Sequence, residues 1–286
     1  MAIPTPTEDP RSIPTNALAS VRDIALFLGL TFGFAWALWG YLIIAMPPGG
    51  LVISPAFIVC AIVGGFAPSL AAIVIAALRG GSAGVGGLLA TILRPVRMPY
   101  LLLAVLAVPF ATAVACGVQL LLAVRLHWPD PSLLAMAAIW PIMAALGEEF
   151  GWRTYLTARL VPTLGLLTTA LLVGLIWGLW HLPADFVALK GYGGLFWLAF
   201  LINGPIVLTA HAVILTWLWQ RTGGSTLSAI IYHWSVTASA IIAPSAAGEG
   251  WPGLMSTSIG AAAMWAIAGG ILFLGRKKTR LSSGVV

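Results

Sequence analysis

Eight long apolar stretches follow one another along the chain, separated by short segments rich in glycine, proline or charge. Only 8% of the residues are charged, whereas soluble domains carry roughly 25%. Because a membrane-crossing helix needs ~20 apolar residues, the 286 residues leave no room for a second sizeable domain. The pattern predicts an all-α polytopic membrane bundle of about eight transmembrane helices, at 24–46, 51–78, 99–125, 131–160, 163–184, 192–219, 225–243 and 255–275.

The basic residues predict the orientation of this bundle. An even number of spans places both termini on one side, and the C-terminal cluster Arg276-Lys277-Lys278-Thr279-Arg280 marks that side as cytoplasmic. Twelve of the 14 lysines and arginines then face the cytoplasm, and only Arg125 and Lys190 face outward. We expect an integral protein of the plasma (inner) membrane with both termini cytoplasmic.

The same pattern predicts the domain organisation. Residues 1–20 are polar and proline-rich, and we expect a disordered cytoplasmic tail there. Residues 21–275 form a single transmembrane bundle, and 276–286 form a basic cytoplasmic tail. The connection 79–98 begins with several glycines but lacks the Gly-Lys-Ser/Thr ending of a phosphate-binding loop, so we expect a flexible cytoplasmic connection. The net charge of +6 is scattered, so no nucleic-acid partner is expected.

Two carboxylates and a guanidinium interrupt the fourth apolar stretch, at Glu148, Glu149 and Arg153. Ionisable groups at membrane depth are costly and therefore indicate a functional site. On a helix, Glu149 and Arg153 are four residues apart and can form an ion pair. Glu148 is rotated by about 100° from Glu149, which leaves it free to face a cavity and accept a proton. The alternative is a solvated helix end at the cytoplasmic interface.

Two histidines lie in later apolar stretches, and they could share a site with the carboxylates. His181 follows Trp177 by one helical turn, and His233 precedes Thr237 by one turn. A carboxylate with histidines is what proton transfer or water activation requires. His211 lies at a suitable depth but lacks neighbours of suitable chemistry.

The fifth predicted helix carries two further expectations. Counted from the cytoplasmic helix ends, Glu148 lies ~18 Å deep, His233 ~12 Å and His181 ~27 Å, so a tilt, a kink or a later start of the fifth helix is needed to bring His181 to the others. Gly174 and Gly178 are four residues apart, a spacing that allows a neighbouring helix to approach closely.

These residues resemble the motifs of the CPBP family of intramembrane proteases, which includes the CAAX prenyl endopeptidases and the Abi or bacteriocin-processing proteins. The family pattern is Glu-Glu-x-x-x-Arg, then Phe-x-x-x-His, then His-x-x-x-Asn/Asp. The first motif is complete from Glu148 to Arg153. The second ends at His181, with Trp177 in place of phenylalanine, and the third begins at His233. The resemblance implies a protease-like core at about 131–243.

The resemblance also implies roles for these residues. Glu148 would be the general base on a water, assisted by His181, and His233 would stabilise the oxyanion. Glu149 and Arg153 would hold the local structure. Thr237 departs from the family, which has Asn or Asp there; a threonine hydroxyl offers a shorter donor, and Asn203 is a potential substitute.

The sequence therefore predicts an intramembrane endopeptidase that cleaves CAAX-like or other membrane-associated peptide substrates near the cytoplasmic side. No cofactor is favoured, although a catalytic zinc bound by Glu148, His181 and His233 stays an alternative. Membrane lipid and a peptide or membrane-associated protein are the expected partners. Two other readings stay open: a proton- or ion-coupled transporter, in which Asn203-Gly204-Pro205 breaks a helix, and a catalytically weakened immunity or binding protein.

Overall fold

The computed structural model describes the backbone of residues 21–46, 54–246 and 250–282. Within these residues, the α-helices are α1 Val21–Ile44, α2 Pro55–Gly65, α3 Ala67–Ala90, α4 Met98–Leu121, α5 Leu133–Glu149, α6 Ala158–Leu164, α7 Leu166–Trp180, α8 Leu182–Leu189, α9 Phe196–Leu201, α10 Val207–Arg221, α11 Thr226–Ile242 and α12 Trp251–Ser282. Strands β1 (Leu126–His127) and β2 (Ser245–Ala246) pair antiparallel. The tail expected at 1–20 lies outside the described residues.

Four short segments of other helical types link these elements. The 3₁₀-helical segments are Thr91–Leu93 and Lys190–Leu195, and the π-helical segments are Phe150–Thr157 and Ile202–Ile206. The second π-helical segment contains Asn203-Gly204-Pro205 and joins α9 to α10 without an interruption of the helix. The broken helix that a transporter reading requires is therefore not seen at this tripeptide.

Six helices of the described residues are long and apolar enough to cross a membrane, and the shorter apolar helices are α2, α7 and α11. Large hydrophobic side chains such as Phe110, Ile139 and Leu106 are exposed on the outer helices, where lipid replaces water as their solvent. The all-α membrane bundle is thus confirmed, and the chain is an integral membrane protein. The predicted number of eight spans is not fixed by helix lengths alone.

Local sequence determines where several helices begin and end. Ser54 caps α2, because its hydroxyl accepts a hydrogen bond from the Phe57 backbone N–H at 3.1 Å and Pro55 occupies the first turn. Gly165, with φ of +74°, separates α6 from α7. The fifth predicted helix, expected at 163–184, therefore starts at Leu166 and ends at Trp180.

The segment expected to be a flexible connection at 79–98 is mostly helical, and that prediction is wrong. Helix α3 turns at Gly81, where φ is +58° and ψ is −148°, and helical structure then resumes and continues through Leu93. Glycine adopts this backbone conformation without the steric cost that a side chain would add. The buried side chain of Leu88 anchors the second part of α3 to the core.

Contacts among helix ends and loops define two ends of the bundle. At one end, Arg79 pairs with Asp23 and Arg94 donates a hydrogen bond to the Gly223 carbonyl. At the opposite end, β1 pairs with β2 and Lys190 lies 3.2 Å from the Met46 sulfur. Most described arginines thus gather at the first end, which we call the basic end; it holds Arg22, Arg79, Arg94, Arg97, Arg159 and Arg221.

The centre of the bundle is formed by α5, the first π-helical segment, α7, α10 and α11. Gly174 and Gly178 of α7 lie very close to α10 and to the π-helical segment that precedes it. A Cβ added at Gly174 would lie 2.5 Å from Thr209 Cα, and one added at Gly178 would lie 2.5 Å from Pro205 Cα. The close helix approach predicted from this glycine pair is confirmed. It brings the C-terminal half of α7 into the core beside α5 and α11.

Candidate active site

The Glu-Glu-x-x-x-Arg motif lies where α5 passes into the π-helical segment Phe150–Thr157. Every residue of that segment is buried. Gly151 allows this, because an added Cβ there would lie 2.5 Å from the Pro68 carbonyl carbon. Such widened turns occur often at functional sites, since they redirect side chains from their α-helical positions.

Threonine hydroxyls fix this segment against α11. Thr154 and Thr226 share a hydrogen bond, and Thr226 shares a second one with Thr91. All three hydroxyls are buried, where neither water nor apolar side chains can bond to them. The hydrogen bonds among them therefore satisfy these polar groups. They set the register of α11, so that His233, two turns further along, lies beside Glu149.

Glu149 occupies the middle of a fully buried charged cluster. Its Oε2 lies 3.2 Å from Arg153 Nε, which is the ion pair expected from the i,i+4 spacing, and both side chains are 0% exposed. Its Oε1 lies 2.7 Å from His233 Nδ1. Since an ionised carboxylate only accepts, Nδ1 carries the proton and donates a hydrogen bond to Glu149. The contact leaves Nε2 as the ring nitrogen that faces the remaining site.

The sequence led us to expect Glu148 to face a cavity. In the structure its side chain is buried instead. Its Oε2 accepts a hydrogen bond of 2.5 Å from the indole Nε1–H of Trp177. Its Oε1 lies 4.0 Å from Nε2 of His233. The two groups predicted to share a site, Glu148 and His233, are therefore brought together.

His181 lies one turn beyond Trp177, at the end of α7. Its Nδ1 lies 3.0 Å from the Trp177 carbonyl oxygen, which can only accept, so Nδ1 donates and Nε2 keeps a free lone pair. The ring is half-buried, lies roughly parallel to the Trp39 ring and meets the Trp180 ring edge to face. From the start of α7, His181 is about 22 Å deep and Trp177 about 16 Å, so the late start of the helix reduces the depth mismatch without removing it.

Other candidates from the sequence do not join the cluster. His211 is buried and pairs with the Tyr232 hydroxyl at 3.0 Å. Asn203 is exposed, which places it away from the buried carboxylates. Thr237 is half-buried, one turn beyond His233, and its hydroxyl forms no hydrogen bond with another described residue.

The residues of the proposed zinc site do not fit a metal in this arrangement. Glu148 already accepts a hydrogen bond from Trp177 through Oε2, and His181 donates one through Nδ1 to the Trp177 carbonyl. In the part of the chain that the structure describes, no three His, Cys, Asp or Glu side chains are grouped closely enough to bind a metal ion.

Three features of the site were not predicted. The Glu149 bond to His233 needs knowledge of how α11 packs on α5. The Trp177 bond to Glu148 had a sequence signal, namely an N–H donor at the position of a phenylalanine. Asp185, four residues after His181, was visible as a carboxylate in an apolar stretch; its Oδ2 is buried and bonds to no other described residue.

Comparison with known proteins agrees with this geometry. Residues 130–239 match the family described as type II CAAX prenyl endopeptidase Rce1-like. A CAAX prenyl protease 2 of Methanococcus maripaludis is 31% identical over 99 residues, which are 33% of this chain and 36% of that relative. The resemblance to CPBP family proteases is confirmed. The matched residues run from just before α5 to near the end of α11 and include the π-helical segment Phe150–Thr157, so they contain all the motif residues. The chain matches about a third of the length of that relative.

Proposed function

We propose that this protein is an intramembrane endopeptidase in which Glu148 activates a water molecule. The observation that supports this most directly is the meeting of Glu148 and His233 at 4.0 Å in a buried, charged cluster. A carboxylate within reach of an imidazole, on helices that the core holds rigid, is the arrangement that general acid–base catalysis uses. The family of the matched region is one of endopeptidases.

The charges of the cluster support different roles for Glu148 and His233. With both glutamates ionised and Arg153 charged, two negative charges face one positive charge, and the cluster is neutral only when His233 is also protonated. A buried cluster with an uncompensated charge is costly. We therefore propose a Glu148 carboxylate as base and a His233 imidazolium whose Nε2–H donates to the developing oxyanion.

His181 and Thr237 complete the proposed reaction. The Nδ1 of His181 is committed to the Trp177 carbonyl, so Nε2 is the ring atom that can accept a proton. It would help to orient the water, and the proton that the water loses would pass to the leaving amine as the peptide C–N bond breaks. Thr237 lies one turn from His233 and would supply a second, weaker donor to the oxyanion. The peptide bond that is cleaved would come from a CAAX-like or other membrane-associated substrate, as the name of the relative suggests.

The basic end of the bundle supports the proposed orientation. Its arginines would face the cytoplasm, with both termini on that side of the plasma membrane. His233 lies seven residues into α11, about 10 Å from the basic end, and Trp177 lies about 16 Å from it. Hydrolysis would thus occur inside the membrane but nearer to the cytoplasm.

Glu148→Gln tests the proposal in purified protein with a fluorogenic prenylated CAAX peptide. The amide keeps the shape of the side chain but is not a base, so we expect kcat to fall by about 10²–10⁴ fold. Asp130→Asn is the matched control, because it makes the same chemical change at an exposed loop carboxylate; it should leave cleavage unchanged. Undiminished cleavage by Glu148→Gln would exclude Glu148 as the base. Ion flux into liposomes that depends on Glu148, without proteolysis, would instead support a transporter.

A further inference from the structure

Trp177 contacts four residues of the charged site, namely Glu148, His181, Arg153 and His233. Its indole N–H donates to Glu148 Oε2 at 2.5 Å, and its carbonyl oxygen accepts from His181 Nδ1–H at 3.0 Å. The face of its ring lies 4.8 Å from the Arg153 guanidinium carbon. Its ring centroid lies 5.4 Å from that of His233, and the two ring planes meet at 63°. The Trp177 side chain thus connects α7 to α5, which bears Glu148, and to α11, which bears His233.

The indole N–H decides how Glu148 is presented. A hydrogen bond to an ionised group is stronger than a bond between neutral groups. Because the bond engages Oε2, the other oxygen, Oε1, is the one that faces His233 Nε2. The bond also limits rotation of the carboxylate about its last torsion, which is otherwise broad.

The ring face has a second effect on the same cluster. Neither terminal nitrogen of Arg153 forms a hydrogen bond with another described residue. Since the side chain is fully buried, the electron-rich indole face partly replaces the solvation that the guanidinium has lost. A phenylalanine at 177 would retain a weaker version of this contact but would have no donor for Glu148.

We propose that Trp177 is a positioning residue whose indole N–H fixes Glu148 so that Oε1 acts as the base. This inference rests on the proposed function and deepens it. Trp177 is then more than a core residue of α7. The related motif has phenylalanine at this position, and tryptophan replaces it here because its indole N–H can donate to Glu148. The consequence is that removal of a single N–H, with the ring retained, should slow the chemical step.

Trp177→Phe makes that change, and Trp152→Phe is its matched control. Both tryptophans are fully buried, but the Trp152 indole N–H has no acceptor among the described residues and its ring packs against Phe27 and Trp180. With the fluorogenic peptide, Trp177→Phe should lower kcat by about 10–100 fold, while KM changes by less than about threefold. Trp152→Phe should change kcat by less than about threefold, although both variants leave a similar cavity.

Infrared spectroscopy tests the hydrogen bond without any substrate. A difference spectrum between each protein and its Glu148→Gln version isolates the carboxylate band of Glu148. Loss of the indole donor should shift that band in Trp177→Phe, and the band should be unchanged in Trp152→Phe. Because no peptide is needed, this measurement remains decisive even if the protein cleaves nothing.

The outcomes separate the positioning role from the proposed activity. A shifted band together with a selective fall in kcat supports the inference. An unshifted band, or an equal fall in kcat in both tryptophan variants, would overturn it, because either result shows that only packing was lost. A wild-type protein without peptidase activity but with a shifted band would contradict the proposed function while the Trp177–Glu148 contact stands.

Discussion

Two ion pairs of the same chemistry lie in opposite surroundings. Glu149 and Arg153 meet at 3.2 Å in the centre of the bundle, and both side chains are 0% exposed. Asp23 and Arg79 meet at 2.6 Å at the basic end, where the Arg79 side chain is 62% exposed and the Asp23 side chain is 18% exposed. The geometrically closer pair is the solvated one, so distance alone does not rank their importance.

The comparison shows how burial changes the free energy of an ion pair. An exposed pair gains little, because water already solvates both charges. A buried pair loses that solvation and is often no more stable than apolar residues of the same size, yet the loss of one partner is severe. The carboxylate of Glu149 also accepts a hydrogen bond from His233. We therefore infer that the buried pair serves to hold the site residues in place rather than to stabilise the fold.

The largest effect is expected from Arg153→Leu. This variant leaves Glu149 buried without its counter-charge, which should cost about 3–5 kcal/mol. The measurement is the folded fraction of detergent-solubilised protein after heating, followed by size-exclusion chromatography. We expect a strong decrease in the midpoint temperature and little correctly folded protein.

The double variant Arg153→Leu with Glu149→Gln sharpens this result. It removes both charges, so it should be more stable than Arg153→Leu alone. Equal stability of the single and double variants would show that the loss comes from packing of the Arg153 stem rather than from the uncompensated carboxylate.

A smaller effect is expected from Glu149→Gln alone. The amide oxygen still accepts from one partner, but the negative charge that favours a protonated His233 is lost. If His233 stabilises the oxyanion as an imidazolium, kcat should fall by about 100-fold, which corresponds to about 2.7 kcal/mol. Peptide cleavage over a range of substrate concentrations measures this, and a change confined to KM would argue that Glu149 acts on substrate binding instead.

Part of the site could be predicted because its first motif, from Glu148 to Arg153, lies on one continuous helical stretch. The i,i+4 spacing predicted the Glu149–Arg153 pair, and the glycine spacing predicted the approach of α7 to α10. Such short-range relations depend on helical periodicity, which the apolar pattern already indicates. The positions of His181 and His233 in separate helices were sufficient to propose a shared site.

The remaining features depend on backbone details that periodicity does not encode. The turn at Gly81 required knowing which of several glycines adopts a positive φ. The π-helical segment after Glu149 changes the direction of the following side chains, and an ideal helical wheel does not include it. The bond from Trp177 to Glu148 depends on the packing of α7 on α5, so the sequence indicated a donor but not its acceptor.

The smallest effect is expected from Arg79→Gln, which breaks the exposed pair. Water replaces the lost partner of Asp23, so the midpoint temperature and peptide cleavage should both match those of the wild type. Raising the salt concentration should abolish any residual difference, because ions screen exposed charges but hardly reach the buried cluster. A destabilisation as large as that of Arg153→Leu would refute the contrast, since it would mean that burial does not distinguish the two pairs and that the basic end also carries a structural role.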